Sequence, residues 1–341
     1  MRHARAQCPP LGQLPVNATL KHMPTSSDQL REMAAALSKT SGAASADEIA
    51  IVPGYWARRP GFPPEAISDP SEWSGQPYVH VICTQTGLPP RQQKQLVKKW
   101  CDALPSMTAV KILWFGSRVS QELFDAACEM PNIESLYLKW NGVKDLSPIA
   151  SLERLRHLHL GASTSVQSLI PLAGLGSLQW LQIESSLRHF SLEPLQGLSH
   201  LEGLGFLGVE GKQHSLPSLA PLSALQQLRW LHLGSVHVSD GSLRPLAALK
   251  KLEWLGIGNF FELEEFAWLS TRLPSTKCDW LKPFCRFHPS VFPCRKCKAN
   301  WCVMTSGKGS RLLCPSCDTL ELAKHVMAFT AAADSAAEDA G

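Results

Sequence analysis

Nowhere in the 341 residues is there an apolar run of 18 or more, so no membrane-spanning helix is expected. The opening stretch, "MRHARAQCPPLGQLP", lacks the apolar core of a secretory signal. Charge is scarce as well: 18% of residues carry it, and a net of +4 is too small to name a partner. Also missing are a nucleophile elbow, an H-E-x2-H helix, a dinucleotide fingerprint and any carboxylate pair fixed by local spacing. "SGKGS" is not a phosphate loop, because Cys302 stands where its first glycine belongs and Gly309 follows the lysine. The chain is therefore not expected to be an enzyme. Eleven cysteines, an odd number with four in metal-like spacing, argue against a disulfide framework and for a reducing compartment. A cytoplasmic location follows as the expectation. A secreted bacterial effector is the variant that the Ser/Ala-rich leader suggests.

What is present changes along the chain. Residues 1–48 have little periodicity and read as a disordered leader, with one possible helix in "SSDQLREMAAALSK" after a Ser27 or Asp28 cap. Residues 49–106 read as an N-terminal capping region. It opens with a Pro/Gly-rich loop whose Tyr55, Trp56, Phe62 and Trp73 should pack on something. "YVHVICT" then predicts a strand, "PPRQQKQLVKKWCDAL" a proline-opened helix, "AVKILWF" a strand, and "SQELFDAAC" a helix capped by Ser120. Strand–helix alternation implies parallel strands.

Residues 107–273 carry a repeat. Units begin at Ile133, Leu155, Leu178, Leu201, Leu228 and Leu252, in steps of 22, 23, 23, 27 and 24 residues. Each reads L-x2-L-x-L, a variable stretch, then L-x-P-[LI]-x2-L; the last unit loses its second half. The first half predicts a short strand. The second predicts a short helix or 3-10 turn, where proline fits because its missing N–H has no partner to lose.

This pattern resembles the leucine-rich repeat family, specifically the short bacterial, internalin-like kind, over about half the chain. The resemblance implies an α/β solenoid with parallel strands on the concave face and short helices or 3-10 turns on the convex face. The family places Asn after each strand; here Asn141 is followed by Ser163, Ser186, Val209, Val236 and Phe260, so its polar ladder should be mostly absent.

With the leucines inward, three columns should face outward. They are Ser135, His157, Trp180, Gly203, Trp230 and Trp254; then Tyr137, His159, Gln182, Gly205, His232 and Gly256; then Lys139, Gly161, Glu184, Leu207, Gly234 and Gly258. Three tryptophans in one column suit a partner-binding face made of Tyr137, His157, His159, Trp180, Gln182, Trp230, His232 and Trp254, with glycines opening space for an incoming segment. The other reading is that the leader, or the loop with Trp56 and Trp73, folds over this face. His157 and His159 have a spacing a metal can use, but no third ligand is fixed nearby, which favours a polar rim.

"PCRKCKANWCVMTSGKGSRLLCPSC" (293–317) holds two Cys-x2-Cys pairs sixteen residues apart. Two such turns supply four thiolates to one ion, and the stretch resembles a zinc ribbon with Cys294, Cys297, Cys314 and Cys317 as ligands. An iron–sulfur centre and a redox dithiol pair are the rivals. Four cysteines fill the coordination of zinc, so the ion should be structural, replacing a hydrophobic core in a module over 274–328. A hairpin through "ANWCVMT" and "SRLLC" should close it, and residues 329–341 should form a disordered tail. Cys278, Cys285 and His288 are core or reserve ligands, and Cys302 is core. Between Pro274 and Thr330 nine Lys and Arg face three Asp and Glu. Arg286, Arg295, Lys296, Lys298, Lys308 and Arg311 either contact phosphates or simply offset thiolate charge. The expected function is a non-catalytic protein-binding scaffold whose zinc module closes the repeat array. A nucleic-acid-associated regulator is the alternative.

Overall fold

The computed structural model describes residues 63–184, 191–208, 214–286, 292–298 and 302–338. The expected leader and its helix, Tyr55, Trp56, Phe62, Ser186, Val209 and His288 lie outside the described residues. No described helix is long and apolar enough to cross a membrane. The chain divides into two compact units, one ending at Gly258 and one that takes in the residues from Asn259 onward.

The first unit is built on a nine-stranded parallel sheet. In spatial order its strands are β1 (Ala66–Ile67), β2 (Tyr78–Val81), β3 (Ile112–Val119), β4 (Ser135–Asn141), β5 (His157–Leu160), β6 (Trp180–Glu184), β7 (Gly203–Leu207), β9 (Trp230–Gly234) and β11 (Trp254–Ile257). The strand and helix expected before the repeat join the same sheet. β2 pairs with β3, and α1 (Pro90–Ala103) and α2 (Gln121–Cys128) connect the strands. Ser120 caps α2 by accepting the Leu123 N–H. One core runs the length of this unit: Leu136, Leu158, Leu181, Leu204, Leu231 and Leu255, one per strand, are at most 2% exposed. A fully buried leucine contributes about 1.5–3 kcal/mol, so the repeated leucine rather than any single contact sets strand register.

On the convex side five 3-10 turns replace helices: Ser147–Ser151, Ile170–Gly174, Glu193–Leu195, Ala220–Ala224 and Arg244–Ala248, each with proline in its first two positions. The proline alone does not start them. Asp145, Ser168, Ser191, Ser218 and Ser242, three residues before each proline, accept the backbone N–H two residues on, at 2.8–3.2 Å. The repeat thus reads [SD]-L-x-P, and the hydroxyl or carboxylate pairs an amide that would otherwise face solvent.

The Asn ladder is short, as expected, and its replacement is visible. Asn141 donates to Gly161 O at 2.8 Å and to Ser163 Oγ at 2.9 Å, and Ser163 passes its own hydroxyl to Leu160 O at 2.7 Å. Further along, β8 (His214–Leu216) and β10 (Val236–Val238) form a separate parallel pair. Backbone groups that Asn would have satisfied satisfy one another. Repeat spacing, in-register parallel strands and proline-led turns make this unit a leucine-rich repeat solenoid.

The second unit starts where the sixth repeat loses its second half. In place of a 3-10 turn stands α3 (Leu263–Arg272). β12 (Phe284–Arg286), β13 (Val303–Thr305) and β14 (Leu312–Leu313) form a three-stranded antiparallel sheet. α4 (Thr319–Glu338) follows. Two expectations are corrected here. The module owns a core, made of Phe284, Val303, Leu313, Leu322, Ala323 and Val326. The expected disordered tail is helix through Glu338, with Phe329 and Ala336 buried and Arg272 of α3 donating to Ala336 O at 2.9 Å. An alanine-rich run lacks apolar contrast, yet alanine is the strongest helix former.

Candidate functional sites: the outward face of the sheet and the four-cysteine cluster

The outward columns are aligned across the strands. Ser135, His157, Trp180, Gly203, Trp230 and Trp254 are successive register partners, as are Tyr137, His159, Gln182, Gly205, His232 and Gly256. The second column extends back through Trp114 to His80.

How the side chains lie differs from the open aromatic row that spacing suggests. Trp180, Trp230 and Trp254 are half-buried. A Cβ at Gly203 would come within 2.1 Å of the Trp180 ring, and one at Gly256 within 2.1 Å of the Trp254 ring. A Cβ at Gly161 would meet the Lys139 carbonyl at 2.2 Å. These glycines are not openings for an incoming segment. Two make room for a neighbouring indole, and one permits close backbone approach. At Gly205 the nearest atom to a Cβ is Gln182 Cγ at 3.4 Å, so this position tolerates a side chain.

Toward the N-terminal end the face is a stack. Trp114 lies on Tyr137 with ring centroids 3.6 Å apart, and Tyr137 on His159 at 4.1 Å. Burial and the Glu184 charge push the Tyr137 hydroxyl up to about 12. His159 is 4% exposed, neither ring nitrogen has a hydrogen-bond partner among the described residues, and burial lowers its pKa to about 3. Its Nε2 lies 3.7 Å from Glu184 Oε1. His157 instead bonds Ser135 Oγ through Nδ1 at 3.0 Å. Gln182 donates to Glu184 Oε1 at 2.8 Å. Trp230 and Trp254 stack with centroids 6.3 Å apart, and His232 meets Trp254 edge-on at 5.4 Å. Trp73 turns back on its own loop, donating to Gln76 O at 2.9 Å.

Among the described residues Cys294, Cys297, Cys314 and Cys317 are the one group of three or more metal-ligating side chains close enough to share an ion. Their sulfurs lie within 4.8 Å of one another, with Cys294–Cys317 at 3.9 Å and Cys297–Cys314 at 3.8 Å. A tetrahedron with metal–sulfur bonds of about 2.3 Å has an edge of about 3.8 Å, so the spacing fits zinc. Each turn aims backbone amides at its first sulfur: those of Cys297 and Lys296 at Cys294, those of Ser316 and Cys317 at Cys314. The amides hold the Cys294 thiol down near 6, whereas burial and the neighbouring thiols hold Cys317 up near 12. Such a cluster reaches the four-thiolate state only with a cation at its centre. Asp318 joins the two turns, accepting the Cys314 N–H at 2.9 Å and the Lys296 ammonium at 2.5 Å.

Cys278 and Cys285 are buried and stand outside this cluster. Cys302, expected in the core, is only half-buried, and burial with the nearby Cys294 and Cys314 charges pushes its thiol up to about 11. Of the six cations around the cluster, Lys296 pairs with Asp318, Lys308 with Glu262 and Arg311 with Glu321.

No family model matches the chain, and no curated protein does. Solved structures do. Internalin C2 from Listeria monocytogenes is 24% identical over 46% of this chain and 64% of its own, with a TM-score of 0.37. A leucine-rich repeat protein of Leptospira interrogans is 18% identical over 51% and 55%, at 0.34. A plant peptide hormone receptor in complex with RGF2 is 16% identical over 51% and 32%, at 0.38. The chain therefore spans less than two thirds of each of these three structures.

Proposed function

We propose that this chain is a non-catalytic protein-binding scaffold that holds its partner on the outward face of the solenoid sheet. The observation that carries the reading is the C-terminal half of that face. There Trp230, His232 and Trp254 stand half-buried on neighbouring strands, stiffened against one another by ring contacts. Rigid aromatic groups with a polar edge lose little entropy when a partner covers them, which is why such residues anchor interfaces. In this reading Trp180, Gln182 and Tyr137 extend the contact, and His157 and His159 support it from beneath.

Zinc is the ion assigned to Cys294, Cys297, Cys314 and Cys317, and its role is structural because four thiolates leave no position for substrate. When bound it supplies charge neutralisation and a cross-link between the two turns. The nucleic-acid alternative rests on cations half of which already have carboxylate partners in the module.

The test is affinity purification with mass spectrometry on the wild type and on a Trp230→Ala/His232→Ala variant of matched melting temperature. Proteins recovered by the wild type and lost with the variant support the scaffold. Equal recovery from a folded variant removes it.

A further inference from the structure

Arg118 and Trp140 are register partners on β3 and β4, just past a point where β3 carries one residue more than β4. Such a bulge re-aims the side chains beyond it. Neighbours along a strand normally point to opposite faces, yet Lys139 and Trp140 are both exposed, Trp140 at 43%. Val119 and Asn141, the next register pair, return to the core. The backbone under this spot is held from the β2 side. The Arg118 N–H donates to Gln85 Oε1 at 3.1 Å, and Thr84 Oγ1 donates to Arg118 O at 2.7 Å. The Thr84 N–H donates to Ser117 Oγ at 3.2 Å.

The side chains above that backbone keep their charge open. Lys139 Nζ stands 4.4 Å from the centre of the Trp140 ring. The Arg118 guanidinium lies beside Gly142, where a Cβ would be 3.5 Å from Nη2. Among the described residues no carboxylate pairs with Arg118 or Lys139, whereas Lys111 pairs with Glu134, and Arg229 with Glu202 and Glu253. One repeat step of 22 residues past Trp140 stands Ala162, whose methyl leaves the indole open. Two unpaired cations around an exposed indole fit an anion with an apolar group beside it. A nucleic-acid strand needs a continued row of cations. The outward column that starts at Lys139 goes on instead to Gly161 and the Glu184 carboxylate. A carboxylate on a peptide matches the charge present, and a guanidinium grips it through two parallel N–H donors.

We infer that Arg118, Lys139 and Trp140 form the docking point for an acidic segment of a protein partner. An Asp or Glu carboxylate sits on Arg118 and Lys139, and an apolar side chain next to it lies on the Trp140 ring. The inference rests on the scaffold reading and adds the chemistry of the partner.

A random dodecapeptide phage library is selected on the immobilised full-length chain, and enriched peptides are labelled and titrated by fluorescence anisotropy. The titrations use the wild type, Arg118→Ala, Arg118→Lys, Trp140→Ala and Trp230→Ala/His232→Ala, each of matched melting temperature. The expected peptides place Asp or Glu beside an aromatic or aliphatic residue and bind more weakly as sodium chloride rises. Arg118→Ala and Trp140→Ala should each weaken them about tenfold, the scale of one lost charge-assisted contact. Arg118→Lys, which keeps the charge and loses the fork, should fall between. Enriched peptides without an acidic residue, or acidic peptides that Arg118→Ala binds as the wild type does, overturn the inference. If such peptides are lost with Trp230→Ala/His232→Ala instead, the scaffold stands and only this docking point falls. Enrichment no greater than on blank beads also overturns it and leaves the scaffold to affinity purification. A labelled oligothymidylate that displaces every selected peptide would give the patch to nucleic acid and sink the inference.

Discussion

The indole of Trp180 lies on Gly203, one strand away, in the space that a Cβ there would occupy at 2.1 Å. Gly203→Ala should therefore cost about 1–3 kcal/mol, the range for overfilling a packed site. Trp180→Ala in the same chain should remove most of that penalty, since the clash has one origin. Gly205→Ala serves as the control; the nearest atom to its Cβ is Gln182 Cγ at 3.4 Å, and a change within about 0.5 kcal/mol is expected. Urea denaturation of these three variants and of Trp180→Ala alone, each against the wild type, decides. An equal loss at both glycines would mean that the ring does not hold Gly203 free of a side chain.

Buried neutral imidazole makes stability depend on pH. His159 titrates near 3 in the folded chain against 6.5 for an exposed imidazole, because burial penalises the charged form. Below pH 6.5 the unfolded chain binds the extra proton, so this group's contribution is complete above 6.5 and lost as pH falls toward 3, at up to about 1.4 kcal/mol per unit. Glu184, 3.7 Å away, would soften the slope by favouring the imidazolium. His159→Phe keeps a ring against Tyr137 and cannot ionise. Its stability relative to the wild type should improve steadily from pH 7 to 4.5 in parallel denaturation series.

A serine hydroxyl starts four of the five convex turns and the Asp145 carboxylate the fifth. Ser218→Ala leaves the Ala220 N–H without its 3.0 Å acceptor and should cost about 1 kcal/mol, and Ser191→Ala at Glu193 should cost much the same. Ser218→Asp, which keeps an acceptor, should recover the loss. Thermal unfolding monitored by circular dichroism separates the three.

Chelation should act on one unit only. The second unit has a Phe284–Val303–Leu322 core besides the four cysteines, so removing zinc should loosen the two cysteine turns and β13–β14 while α3 and α4 stay helical. Hydrogen exchange read by mass spectrometry should show faster exchange over 292–298 and 302–318, with 133–257 unchanged. Protection that survives complete metal removal would show that the core alone holds the turns.

Strand register was the most legible feature of the sequence. One buried leucine per strand repeats at fixed spacing, and a slip would expose all of them, so periodicity alone aligned Tyr137 with His159 and Trp230 with Trp254. Side-chain direction was not legible. Spacing says that Trp180 faces outward and is silent on whether its ring stands up or lies on Gly203. The serine or aspartate three residues before each proline is a polar signal that lies outside the apolar period, so periodicity does not bring it out. The four cysteines announced themselves by spacing, whereas the core beneath them joins Phe284 to Val326 across residues that share no local period. The final helix was hidden by its own composition, since alanine offers no apolar contrast.

The narrow β8–β10 ribbon has a consequence for how this architecture changes length. The coil beginning at Leu201 is the longest, and its extra residues fall between β7, locked in the wide sheet, and β8, locked against β10. Additions between those two anchors should leave the pairing of β7 with β9 and of β8 with β10 in place. Foreign loops grafted there should disturb the fold least, which makes this coil the natural entry point for re-engineering the array.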